Sequence, residues 1–390
     1  MKKSLILAAM ASVALASCVN DVADVQQQEQ KQVKIMFDSP VMYNNNAGTR
    51  ANVWGEISNE TVSGHYSYPS NELFQIYAIQ YEKQFPGWDN ELSDKAEFDN
   101  TPIAHDESLG GWAPKNGDDY YFWPGGNMKM AFAACSPADL ACSTANRTYS
   151  ATGLQILNFQ ISPDAATQYD LMFSQRVIDK TSSDMLHSEG MYSGIPLQFQ
   201  HALTSVRFSI QNTSNETVVL TGIKVYGAQD TGNFYENITN ENSLYSIADG
   251  TVAPYWDQEE HRVAEGEAYV AFQGNLPFTS NPEYVYEKAD KENGDLVNML
   301  LLLPQVLTED VKIVVDYTVN GKPATKTVEA IDATPITTST PIGNGGEWIM
   351  GYRYTYRLLY SLESADKDKI YFAPSSDDWQ NAGIYQIELL

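Results

Sequence analysis

The chain has 390 residues, of which 43% are hydrophobic, with 24 basic side chains against 50 acidic ones and a formal charge of −26. So acidic a balance excludes a nucleic-acid partner, because phosphate-facing surfaces have to be basic. The apolar content and the 24 tyrosines exclude a disordered chain, and the length leaves room for two domains of ordinary size.

Residues 1–17 have the layout of an export signal: Lys2 and Lys3, an apolar run from Leu5 to Leu15, then the small pair Ala16-Ser17. The run is too short for a transmembrane helix, which needs ~20 apolar residues. Leu15-Ala16-Ser17-Cys18 resembles a bacterial lipobox. That resemblance implies cleavage between Ser17 and Cys18 and lipid on Cys18, where several acyl chains anchor stably and one alone does not. Residues 18–32 are Gln-rich and polar, without an apolar period, and read as a flexible tether.

A first strand follows. Val33, Ile35 and Phe37 alternate with Lys34 and Met36, so the three apolar residues share one face. The loop Asn44-Asn45-Asn46-Ala47-Gly48 then leads to Thr49-Arg50-Ala51. Small polar residues give a protease easy access, and one cut between Arg50 and Ala51 would detach both tether and strand.

From there the pattern is strand after strand. Leu73 to Tyr81 is extended and apolar, Tyr120 to Trp123 stops at Pro124, and Met128 to Ala134 resumes as a buried strand. Val206, Phe208 and Ile210 alternate with Arg207, Ser209 and Gln211. Val218 to Tyr226, Ala268 to Gln273 and Val297 to Leu303 continue the series. Val311 to Val319 meets Asn320-Gly321, a type I′ hairpin signal, and Thr325 to Ala330 returns as its partner. Tyr352 to Leu358 alternates again, and Tyr385, Ile387 and Leu389 alternate in the last segment, 384–390. No stretch keeps a helical period. The expected fold is all-β, two antiparallel β-sandwich domains over 33–200 and 201–390 with a seam near Pro196 to Leu203.

Catalytic patterns are missing. The five histidines (His65, His105, His187, His201, His261) are scattered, and no phosphate loop, dinucleotide fingerprint or nucleophile elbow occurs. Adjacent carboxylates such as Asp118-Asp119 point to opposite faces in extended chain. Cys135 and Cys142 lack the partners of a zinc set and read equally as a disulfide or two buried thiols. Tyr66, Tyr68, Trp112, Tyr120, Tyr121 and Trp123 could stack on sugars, although strand aromatics more often form core. The expectation is no enzyme, no cofactor and no metal.

Several local patterns, in order, resemble the fimbrillin family of type V pilus proteins. They are the lipobox, the strand and loop ending at Thr49-Arg50-Ala51, Tyr121-Phe122-Trp123-Pro124, Met130 to Pro137, and Asp170-Leu171-Met172-Phe173. Leu197 to Ile210, Trp348 to Tyr356, Ile370, Phe372 and Trp379 complete them. The resemblance implies two transthyretin-like sandwiches, with His201 as a hydrogen-bonded core histidine. It implies a lipidated precursor at the outer membrane and an Arg-specific surface protease cutting after Arg50. Other fimbrial subunits would then join by β-strand addition, with 384–390 as the donor strand. A tip adhesin, a lipid-anchored glycan- or protein-binding protein that does not polymerise, and an anchor subunit that keeps its lipid stay open as alternatives.

Overall fold

The computed structural model describes residues 34–38, 40–42, 61–62, 65–82, 96–116, 121–138, 147–150, 153–174, 176–185, 194–236, 254–258, 262–288, 295–332, 334–335, 346–362 and 380–388. Among these there is no α-helix, only strands and short 3-10 turns. Up to residue 201 the main strands are β1 (Val41–Met42), β2 (His65–Ser67), β3 (Phe74–Glu82), β4 (Ala96–Asp106), β5 (Gly111–Pro114), β6 (Met128–Ser136), β7 (Arg147–Ser150), β8 (Gly153–Gln160), β9 (Met172–Ser174) and β10 (Gln198–His201). All but β7 and β8 join one sheet, in the order Thr61–Val62, β2, β1, β10, β9, β6, β3, β4, β5.

β3 is buried at seven of its nine positions because both of its faces are covered. Phe74, Ile76 and Ala78 face one core with Phe98, Ile103, Phe132 and Ala134. Tyr77, Ile79 and Tyr81 face a second cluster with Ala131 and Ala133.

The chain continues with β11 (Thr204–Asn212), β12 (Val218–Tyr226), β13 (Thr231–Tyr235), β14 (Tyr255–Gln258), β15 (Tyr269–Pro277), β16 (Lys312–Val319), β17 (Lys322–Glu329), β18 (Tyr352–Tyr360) and β19 (Gln380–Glu388). One sheet runs β15, β12, β16, β17 and a second Glu283–Tyr284, β11, β18, β19, Thr334–Pro335. A third, β14, β13, β8, β7, pairs residues from both sides of residue 200. Their inner faces share a single core: Phe208, Tyr356, Ile223, Val315, Ile156 and Phe234 all contribute. This is the stacked β-sheet architecture that strand alternation predicts.

Two details show the local chemistry at work. Asn320 and Gly321 have φ of 50° and 78°, the left-handed pair of a type I′ turn, and set Val319 opposite Lys322. The second detail departs from the antiparallel expectation. β11, β18 and β19 run parallel to one another, with Val206 beside Tyr354 and Tyr354 beside Gly383. Period-2 alternation is the same in both orientations, so it carries no information about direction. What suits a parallel ladder here is shelter on both faces: Val206, Phe208 and Ile210 enter the core, while Ser205, Arg207 and Ser209 are buried on the other side.

Candidate strand-exchange slot

Residues 34–38 and 40–42 join the β5 edge of the first sheet to its interior strands. Phe37 donates its N–H to the Trp112 carbonyl at 2.9 Å and accepts the Trp112 N–H at 3.1 Å, a reciprocal antiparallel pair on β5. On the other side, Ile195 donates to the Met36 carbonyl at 2.9 Å and Asp38 donates to the Ile195 carbonyl at 3.1 Å. Ile35 donates to the Tyr121 carbonyl at 2.8 Å. Pro40, whose carbonyl accepts the Tyr68 N–H at 2.8 Å, leads into β1, which is parallel to β10 and antiparallel to β2. β5 closes one end of the sheet order, so the segment joins that edge to the residues leading into β10.

Side chains follow the alternation. Ile35 and Phe37 are each 1% exposed, Lys34 and Met36 are partly buried, and Asp38 faces solvent. The Phe37 ring is surrounded edge-on by Phe74, Phe98 and Phe132, with centroids 6.2, 6.0 and 6.0 Å away. Those rings come from β3, β4 and β6, so Phe37 sits over the three strands next to the β5 edge. Edge-to-face aromatic pairs contribute about 0.5–1.5 kcal/mol each beyond the apolar burial.

Glycine decides how close the walls come. Gly194 has φ +79°, and a Cβ there would lie 2.4 Å from the Asp38 nitrogen and 2.6 Å from the Phe37 carbonyl carbon. Gly194→Ala is therefore expected to combine left-handed strain, about 1–3 kcal/mol, with a backbone clash. A drop of at least roughly 2–4 °C in the melting temperature of the intact precursor should result. The same change should cost less once residues 34–42 are removed, because the clash leaves with them.

The fimbrillin-like family's sequence model matches residues 66–370. The chain belongs to the fimbrillin-like family. Solved structures add likenesses in fold at low identity. A candidate cell adhesion protein from Bacteroides uniformis is 12% identical, covering 85% of this chain and 94% of its own, with a TM-score of 0.44. A fimbrial protein from Bacteroides vulgatus is 13% identical over 73% and 87%, with a TM-score of 0.41. A candidate cell adhesion protein from Bacteroides ovatus is 15% identical over 84% and 92%, with a TM-score of 0.43. They are too distant to carry residue roles. No curated protein matches.

In this fimbrillin-like chain several of the aromatics that could have stacked on sugars take the commoner core role and line the slot. Tyr68, Trp112 and Trp123 are buried and Tyr121 packs against the same cluster. The Tyr68 hydroxyl lies 2.7 Å from Ser136 Oγ and donates to the Leu73 carbonyl at 3.1 Å. Burial pushes its pKa up, a shift the Ser136 hydrogen bond only partly opposes. The side chain of Tyr66, and Tyr120 altogether, lie outside the described residues. His201 is buried in the core, its Nδ1 2.9 Å from Asp170 Oδ1. Among the described residues no group of three or more His, Cys, Asp or Glu could hold a metal ion, and no helix is long and apolar enough to cross a membrane.

The remaining sequence candidates divide by position. Ser17, Cys18, Val33, Arg50, Ala51, Cys142 and Leu389 lie outside the described residues. Cys135 is fully buried in β6. Tyr385 and Ile387 belong to β19, opposite Tyr356 and Leu358 of β18. The tail thus holds an interior place in its own sheet, flanked on the other side by Thr334–Pro335. Sequence reading overlooked β1, Gly111, Gly194 and Ile195, although Pro40-Val41-Met42 and Ser193-Gly194-Ile195-Pro196 are short apolar steps beside turn residues that could have flagged them.

Proposed function

We propose that the chain is the precursor of a structural subunit of a cell-surface type V fimbrium. Removal of the signal between Ser17 and Cys18 leaves a lipid on Cys18 that holds the precursor at the outer membrane. An Arg-specific surface protease cuts between Arg50 and Ala51. The fragment that leaves carries Val33, Ile35, Phe37 and β1, and a β-strand of another fimbrial subunit takes its place. The donor is the segment 384–390, with Tyr385, Ile387 and Leu389 as its apolar side.

One observation carries this reading. The residues that close the first sheet, 34–42, stand upstream of Arg50 and are held by noncovalent contacts alone. Cutting the chain at Arg50 makes them removable. Their loss would expose Phe74, Phe98, Phe132 and Trp112 and strand the main-chain groups of Trp112, Ile195 and Tyr121. Each buried polar group left without a partner costs about 1–3 kcal/mol. An open edge of that kind recruits an extended segment from outside.

The reading of a non-polymerising sugar binder loses three of its six candidate platform residues, since Tyr68, Trp112 and Trp123 face inward. Arg50→Ala tests the polymer directly. The variant is expected to stay monomeric and keep its N-terminal piece under conditions where the parent forms ladders resistant to mild detergent. Wild-type polymer yield from the uncut variant would sink the proposal.

A further inference from the structure

We propose that the outer face of the sheet β14, β13, β8, β7 holds a binding site for a neutral hexopyranose glycan, centred on the ring of Tyr255. Alternation decides which side chains share this face. Phe234 and Trp256 turn inward: the Trp256 indole N–H donates to the Ala202 carbonyl at 2.6 Å, and the indole lies 5.4 Å from the Phe234 ring and 5.5 Å from Phe159. Tyr255 and Asp257, on either side of Trp256, therefore point outward, and both are exposed. Tyr235 stands directly opposite Tyr255, and Asn233 opposite Asp257. The two tyrosine rings are stacked, with centroids 5.1 Å apart and 18° between their planes. β14 ends its sheet order, so Tyr255 has one face against Tyr235 and the other turned off the edge, and it is 45% exposed.

These groups match the chemistry of a sugar ring. The C–H groups on one face of a pyranose are apolar and slightly positive, and the negative face of an aromatic ring attracts them. The hydroxyls around the rim need hydrogen-bond partners. The Asp257 carboxylate supplies acceptors beside the tyrosine, and Asn233 adds an amide whose Oδ1 is fixed by the Asn158 N–H at 2.8 Å. Gln155 stands opposite Tyr235, and Thr148 opposite Gln155, so the polar row continues across β8 and β7. Trp256, anchored in the core, holds Tyr255 and Asp257 in place, which leaves little to be ordered on binding. Charge selects the occupant. Asp257 is the only charged residue among these six, and the whole chain carries −26, so a sialylated or sulfated glycan is repelled and an uncharged one is not. The strand-exchange slot uses none of these residues, so a polymerising subunit can carry the site. Copies repeated along a fimbrium would raise avidity by about 10²–10⁴-fold over one weak site.

Saturation-transfer NMR on the intact, uncut monomer tests this, with lactose, cellotriose and mannotriose as neutral probes and sialyllactose as the charged one. At least one neutral probe is expected to bind with a Kd on the order of 1 mM, and sialyllactose at least about tenfold more weakly than lactose. Tyr255→Phe should keep the affinity. Tyr255→Thr should lose it by at least about tenfold; threonine suits an exposed strand, so the edge stays paired, and an unchanged melting temperature confirms it. Asp257→Asn should keep neutral binding and bring sialyllactose within about threefold of lactose. Val306→Ala, at a position 69% exposed elsewhere on the surface, is the control and should change nothing. Failure of all three neutral probes would overturn the proposal, as would parental affinity in Tyr255→Thr. Self-association of the monomer that Tyr255→Thr abolishes would overturn it too, by giving this face to a second copy. Polymer formation enters none of these measurements, so strand exchange can fail while the sugar site stands, or the reverse.

Discussion

Phe37→Ala is expected to release the closing segment on the order of 100- to 1,000-fold faster once the chain has been cut after Arg50. Truncating a phenylalanine in a packed core costs about 3–5 kcal/mol, and each 1.36 kcal/mol is a factor of ten in rate. Phe37 has the surroundings for the full effect, being enclosed by three rings from three strands. Before cleavage the segment stays tethered, so the uncut variant should lose stability yet keep residues 34–42 in place. Gel filtration of the cut protein over time, with the released peptide identified by mass, measures the rate. Asp38→Ala is the control: its side chain is exposed and it should change release by no more than about twofold. Release of the Phe37 variant at the parental rate would mean that the enclosed ring is not what retains the segment.

The second large effect concerns the tail. β19 pairs with β18 through eight residue pairs, Tyr352 with Gln380 through Leu359 with Glu388. A donor strand drawn from this place has to leave its own sheet first. Deleting residues 384–390 is therefore an ambiguous test, since it strips half of an interior strand from the same domain. A reversible pin is cleaner. Arg357 and Gln386 are direct neighbours in the register, and neighbouring strands lie about 4.7–4.9 Å apart, within the span a disulfide bridges. In a Cys142→Ser background, Arg357→Cys with Gln386→Cys should polymerise normally when reduced and at least about 100-fold less when oxidised. Polymer at full yield with the bond intact would show that β19 stays at home and that another strand fills the slot.

Most of the strand inventory is legible without coordinates. Alternation in Val206 to Ile210 and in Tyr352 to Leu358, and the Asn320-Gly321 turn, depend on side-chain period and backbone sterics that act over a few residues. The same holds for Ile35 and Phe37, whose shared face follows from spacing alone. The parallel arrangement of β11, β18 and β19 was not legible, because identical alternation fits either direction. Nor was the core role of Tyr68, Trp112 and Trp123 against a sugar-binding role, because an aromatic in a strand has the same pattern whichever way its face is turned. Gly194 carried no local signal of its packing, since its closeness to Asp38 joins residues far apart in the chain.

By itself, then, the order of amino acids determined the all-β character, the alternation of the first strand, the lipobox resemblance and the arginine that follows the strand. All of these are encoded within a dozen residues, where period, charge and turn chemistry operate. Only the tertiary structure decided that residues 34–38 join the β5 edge to the chain leading into β10, that Phe37 is ringed by Phe74, Phe98 and Phe132, and that the tail runs parallel to β18. Those facts are pairings between distant segments. Burial rewards many such pairings almost equally, and the choice among them is made by the packing of the whole chain.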